Sequence, residues 1–155
     1  MFDACEKLTN IQIKNFNMSA CTNISGMFYN CKALATIDLG GWNVSKVSTM
    51  DSMFRNCTKL NTIIWSEWDF KNKPNVNNMF AGCNNLKNIV GPIYNISTNI
   101  DFSPAPLNHD SLKVIIDGLA DTEDNLMLKL KQVSYDLLTE DDFAEIESKG
   151  WAVSI

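Results

Sequence analysis

The chain has 155 residues, of which 45% are hydrophobic and 20% charged, with a formal net charge of -5 and a pI near 4.7. That length bounds a single domain with enough apolar side chains for a core. The acidic balance disfavours nonspecific nucleic-acid binding, which needs a basic surface to displace counterions, and no apolar run approaches the length of a membrane span.

The motif M-F-x-x-C-x-x-L-x-x-I/V opens at Met1, Met27, Met53 and Met79, a fixed spacing of 26 residues. Phe2, Phe28, Phe54 and Phe80 form the next column, then Cys5, Cys31, Cys57 and Cys83, then Leu8, Leu34, Leu60 and Leu86, then Ile11, Ile37, Ile63 and Ile89. Phe16, Trp42, Trp68 and Tyr94 close the copies. A fixed period of roughly 20 to 50 residues marks a repeat architecture whose units cannot bury their apolar faces alone. Met1 already stands on a repeat position, so the expectation is that the chain is a piece of a longer protein, with additional repeats or a partner chain covering its N-terminal end.

Each copy reads as helix, strand and turn. Met50, Met53 and Phe54 at i, i+3 and i+4 predict one helical face, with Ser48 or Thr49 as its N-cap. Leu60, Ile63 and Trp65 follow with the L-x-x-L-x-L pattern of a half-buried strand in a leucine-rich repeat. Asn17, Asn43, Asp69 and Asn95 come directly after the aromatic column, where an Asx side chain bonds the backbone of a turn. Five Asn-x-Ser/Thr sequons, at Asn17, Asn23, Asn43, Asn56 and Asn95, carry no weight in so Asn-rich a chain.

The period breaks after Ile96, and a loop with two prolines follows. Leu112, Ile115, Ile116 and Leu119 predict a helix capped by Asn108 or Asp110. Leu126, Leu128 and Leu130 predict a strand. Thr139 and Asp142 predict a capping box, Phe143 and Ile146 an apolar face, Gly150 a stop, and Trp151, Val153 and Ile155 a last strand. The fold class expected is α/β: a leucine-rich-repeat solenoid of helix-strand repeats stacking into a parallel sheet. Four repeats fill 1–96, and divergent C-terminal repeats close the same solenoid over 97–155.

The string W-N-V-S-x-V-x-x-M-x-x-M-F-x-x-C-x-x-L, from Trp42 to Leu60, resembles the BspA-like leucine-rich repeats of bacterial surface proteins. The tail LTEDDFAEIESKGWAVSI resembles a terminal segment that follows such repeats in gut bacteria and their phages. The resemblance implies a curved parallel-stranded solenoid and a non-catalytic adhesion or recognition module, secreted or at the cell surface. Its alternative is a structural piece of a phage tail, virion or larger adhesin. It carries over no catalytic residues.

The remaining chemistry is sparse. No C-x-x-C pair or Cys/His cluster has zinc spacing, so no metal or cofactor is expected. Stacked copies would hold the column cysteines about 5 Å apart with parallel side chains, which suits buried free thiols better than disulfides. Cys21 takes the place of Val47 and is expected to pack. The Met and aromatic columns are expected to be core. His109, the one histidine, lacks partners for a triad, and Glu140, Asp141 and Asp142 read as a helix start. The expected ligand is a protein or a glycan. The candidate binding face consists of the strand positions that alternate with the core: Gln12, Lys14, Thr36, Asp38, Thr62, Ile64, Ser66, Asn88 and Val90, with Asn10 beside them and Met127 and Lys129 continuing the face.

Overall fold

The structure, a computed structural model, describes every residue except Ser66. The elements in chain order are β1 (Thr36–Asp38), β2 (Thr62–Ile64), β3 (Trp68–Asp69), β4 (Asn88–Val90), β5 (Ile93–Tyr94), β6 (Ile100–Phe102), α1 (His109–Gly118), β7 (Leu126–Leu130), α2 (Gln132–Tyr135), α3 (Glu140–Ser148) and β8 (Trp151–Ser154). The strands form three small parallel sheets, ordered β1-β2-β4, β3-β5 and β6-β7-β8.

The expected leucine-rich-repeat solenoid of helix-strand repeats is overturned. Among the described residues no helix occurs in any of the four copies, and all three helices lie beyond residue 108. The M-F-x-x-C segments are successive turns instead. In the third copy, Met53, Arg55 and Cys57 donate to the carbonyls three residues back, of Met50, Ser52 and Phe54, at 3.0–3.1 Å. The alternate N–H groups of Ser52, Phe54 and Asn56 reach the next copy, at the carbonyls of Asn77, Met79 and Ala81. An α-helix would have bound every one of these groups within the segment.

Left-handed residues enforce the difference. Gly26, Ser52 and Asn78 have φ of 58°, 55° and 53°, and Ala4, Asn30, Asn56 and Gly82 have φ of 56°, 62° or similar up to 80°. Two such residues per copy, four apart, cannot lie in one right-handed helix. They suit tight turns that need φ > 0 at their third residue. The same register still aligns the copies. Thr36 pairs with Thr62, which pairs with Asn88, and Asp38, Ile64 and Val90 are matched likewise. The first copy has no strand. It joins the second through bonds from Phe2 to Met27, Ala4 to Tyr29 and Asn15 to Gly40.

The core is the expected set of columns over the interior copies. Phe28, Phe54 and Phe80, Leu34, Leu60 and Leu86, and Ile37, Ile63 and Ile89 are all buried. The aromatic column is core only in its middle: Trp42 and Trp68 are buried, but Phe16 is 42% and Tyr94 46% exposed. Phe16 belongs to the outermost copy, and Tyr94 lies on the edge of the two-stranded sheet. The Asx column behaves as turns require, since Asn17, Asn43 and Asp69 each accept the N–H two residues on.

The tail contains two elements that the sequence reading lacked. Residues 100–102, read as loop, form β6, whose Phe102 stacks on Phe80 at 4.7 Å. α2 follows β7, with Ser134 buried and donating to Leu107. The expected helices α1 and α3 form, capped by Asn108 and by a Thr139–Asp142 capping box. Gly150, at φ 79°, ends α3. No described helix is long and apolar enough to cross a membrane.

Candidate functional site

The sheet β1-β2-β4 alternates strictly along each strand. Ile37, Ile63 and Ile89 point inward, and their neighbours on both sides are half-buried or exposed. This is the period of two that any strand with one buried face must show. The outward side chains therefore form two columns running across the copies, Thr36–Thr62–Asn88 and Asp38–Ile64–Val90.

The first column is a polar ladder. Asn88 Nδ2 donates to Asn61 Oδ1 at 2.9 Å and to Thr62 Oγ1 at 3.2 Å, and Thr62 Oγ1 donates to Asn61 Oδ1 at 3.0 Å. Asn108 Nδ2 extends the ladder to Asn88 Oδ1 at 2.8 Å. Such bonds fix the rotamers of a surface that would otherwise be mobile. The second column changes from charged to apolar. Asp38 pairs with Lys14 at 3.3 Å and accepts from Gly40 N at 2.8 Å, Ile64 is half-buried, and Val90 is 47% exposed.

Four of the candidate residues, Gln12, Lys14, Thr36 and Asp38, line one hollow of about 330 Å³ together with Thr9, Asn10, Ile11, Ile13 and Ala35. Thr62, Ile64, Asn88 and Val90 stand on the adjoining strands of the same face. Ser66 lies outside the described residues. Met127 and Lys129 do not continue this face. They belong to the sheet β6-β7-β8 and line a different hollow with Val76, Asn77 and Asn78, on the turn side of the fourth copy.

α1 closes the edge of the strand face. Ile89 N donates to Ser111 Oγ at 2.8 Å, and Lys87 O accepts from Asn108 N at 3.0 Å. The edge strand β4 is thus covered by the first turn of a helix, one of the ways in which proteins stop further strand addition.

Sequence reasoning missed the polar cluster that joins α1 to α3. His109 Nε2 lies 3.1 Å and Lys113 Nζ 3.2 Å from the carboxylate of the buried Asp142, and Lys113 also reaches Glu145 at 3.0 Å. Burial alone would raise the Asp142 pKa. Hydrogen bonds from the Thr139 backbone and hydroxyl, His109 and Lys113 outweigh it and hold the carboxyl well below the usual range. His109 was read as a loop residue but is the first residue of α1. The only signal for the cluster was the capping-box pattern at Thr139 and Asp142.

The cysteine column is buried at Cys31, Cys57 and Cys83, exposed at Cys5, and half-buried at Cys21. Cys5 therefore departs from the expected ladder: it lies on the open face of the first copy. All five thiols are free. Among the described residues no group of three or more His, Cys, Asp or Glu side chains could hold a metal ion.

A family model described as "Mycoplasma protein of unknown function, DUF285" matches residues 1–103, the span that carries all four copies. No curated protein and no solved structure matches the chain. The chain belongs to this DUF285 family.

Proposed function

We propose that the chain is a non-catalytic interaction module that recognises a protein or a glycan through the outward face of β1-β2-β4, at a bacterial surface. The observation that carries this reading is the in-register pair of columns, Thr36–Thr62–Asn88 and Asp38–Ile64–Val90, beside the hollow between Lys14 and Asp38. A polar ladder held by its own hydrogen bonds is preorganised, so little ordering entropy is lost when a partner binds. Ile64 and Val90 add an apolar spot of the kind that anchors contacts. The resemblance of Trp42 to Leu60 to BspA-like repeats supports adhesion as the biological setting.

The test is an array of host proteins and glycans probed with the intact chain, then with Asp38→Lys and Ile64→Lys. Both variants should melt like the parent, since exposed substitutions shift stability by about 0.5 kcal/mol or less. Both should lose roughly tenfold or more in affinity for any ligand found, as at a contact worth about 1.4 kcal/mol. Parent-like binding by both folded variants would remove this face as the site.

A further inference from the structure

The contact between successive copies occurs three times in this chain with one geometry. Phe2, Phe28, Phe54 and Phe80 form a continuous stack, with centroids 5.5, 5.5 and 6.1 Å apart and planes within 7° of parallel. The backbone bonds of these turns have a direction. Phe2 and Ala4 donate to Met27 and Tyr29, Phe28 and Asn30 to Met53 and Arg55, and Phe54 and Asn56 to Met79 and Ala81. The thiols run the other way. Cys31, Cys57 and Cys83 donate to the carbonyls of Phe2, Phe28 and Phe54 at 3.0–3.1 Å.

The outer face of the first copy presents the same set of groups without partners. Met1 and Asp3 hold the positions of Met27 and Tyr29, and among the described residues no N–H donates to their carbonyls. Cys5 holds the position of Cys31 but is exposed, and Leu8 and Ile11 are only partly covered. The face thus offers two backbone acceptors, one thiol donor and one aromatic ring at the spacing used inside the chain.

We propose that this face docks one kind of occupant, a polypeptide segment that itself carries the M-F-x-x-C turn and runs parallel to the first copy. Its Phe N–H and the N–H of the residue two further on reach Met1 O and Asp3 O. Its Phe ring stacks on Phe2, and its Phe carbonyl accepts from the Cys5 thiol. Polarity excludes a second copy of this chain docked head to head, since that would set carbonyls against carbonyls. Head-to-tail docking fails as well, because the far end of the chain is β6-β7-β8 with its helices and has no such turn. This inference is independent of what the strand face binds.

The experiment supplies the motif at the correct register. A duplicate of residues 27–52 is placed ahead of Met1 in a Cys21→Ser background, and native alkylation of Cys5 is followed by mass spectrometry. The Cys5 rate should fall by about tenfold or more, because a covered thiol reacts only through local opening. The added cysteine should take over the fast reaction, and the melting temperature should rise as another interface forms. The same extension with its Phe replaced by Ser should return Cys5 to the fast rate. An extended chain that leaves Cys5 at the parent rate, or that no longer folds, overturns the proposal. So does concentration-dependent protection of Cys5 in the unextended chain, which would mean that a second copy covers this face.

Discussion

The thiol of Cys57 donates to the carbonyl oxygen of Phe28 at 3.0 Å, and one copy on either side Cys31 and Cys83 make the same bond to Phe2 and Phe54. Each cysteine is thus a small hydrophobe with one weak donor used between copies. Burial pushes the Cys31 thiol up to about 11 and the Cys83 thiol up to about 12, and raises Cys57 as well. The thiolate is the reactive species, so these three should be silent at neutral pH. Native titration should show Cys5 reacting fast, Cys21 more slowly and the others not at all, with all five reacting after denaturation without reductant. Fewer than five would reveal a disulfide.

Phe54 stacks on Phe28 at 5.5 Å and on Phe80 at 6.1 Å. Removing it opens two interfaces at once. Phe54→Ala should lower stability by about 3–5 kcal/mol, the usual cost for a buried aromatic. Denaturant melts give the value, and a loss below about 1 kcal/mol would mean that the stack is not core.

Gly82 has φ of 80°, and a Cβ there would lie 2.6 Å from Asn56 Oδ1 and 3.2 Å from Asn56 Cα. Backbone strain and the clash act together. Gly82→Ala should cost about 1–3 kcal/mol, whereas Asn30→Gly, at φ 57°, should cost less because the left-handed conformation suits glycine. Equal melting of the two variants would remove the left-handed column as a determinant of the turns.

Asp142 and Glu145 tie α3 to α1. Lys113 holds the Glu145 carboxyl below its ordinary pKa, against burial and together with Lys149. The Asp142 carboxyl is depressed as described above. A depressed folded-state pKa gives stability that is present above the unfolded value, about 4, and is lost as pH falls through the folded value. The tail should therefore loosen in acid. Asp142→Asn should cost about 2 kcal/mol at pH 7 from a weakened cap and unpaired donors. The gap from the parent should narrow as pH drops below about 4. A gap independent of pH would show that the charge of Asp142 is immaterial.

The register was legible because six columns repeat every 26 residues, and it fixes the pairing of Thr36 with Thr62 and Asn88. The caps of α1 and α3 were legible because Asn108 and Thr139 act locally. The helix assigned to each copy failed because the i, i+3, i+4 spacing of Met50, Met53 and Phe54 also fits a chain of turns. The better signal was the recurrence of Asn and Gly at Asn30, Asn56 and Gly82, residues that tolerate φ > 0. Ala4 and Ser52 blur that signal. At the site, the outward face followed from strand alternation. The departure of Met127 and Lys129 to another sheet did not, since it depends on β6 docking over Phe80. The link from His109 to Asp142 spans two helices and 33 residues, beyond any local pattern.

The bonds between turns join residues 25 positions apart along the backbone and 29 apart for the thiols, in every interior copy alike. Excising residues 27–52 as a block would bring Phe2 against Phe54 and the Cys57 thiol against the Phe2 carbonyl, so each surviving group would meet an equivalent partner. Losing a single residue would misalign all of them. Replication slippage between such similar DNA units therefore produces shorter or longer chains that still fold. The number of copies can drift between strains while the C-terminal helices, which belong to no period, stay fixed at one end.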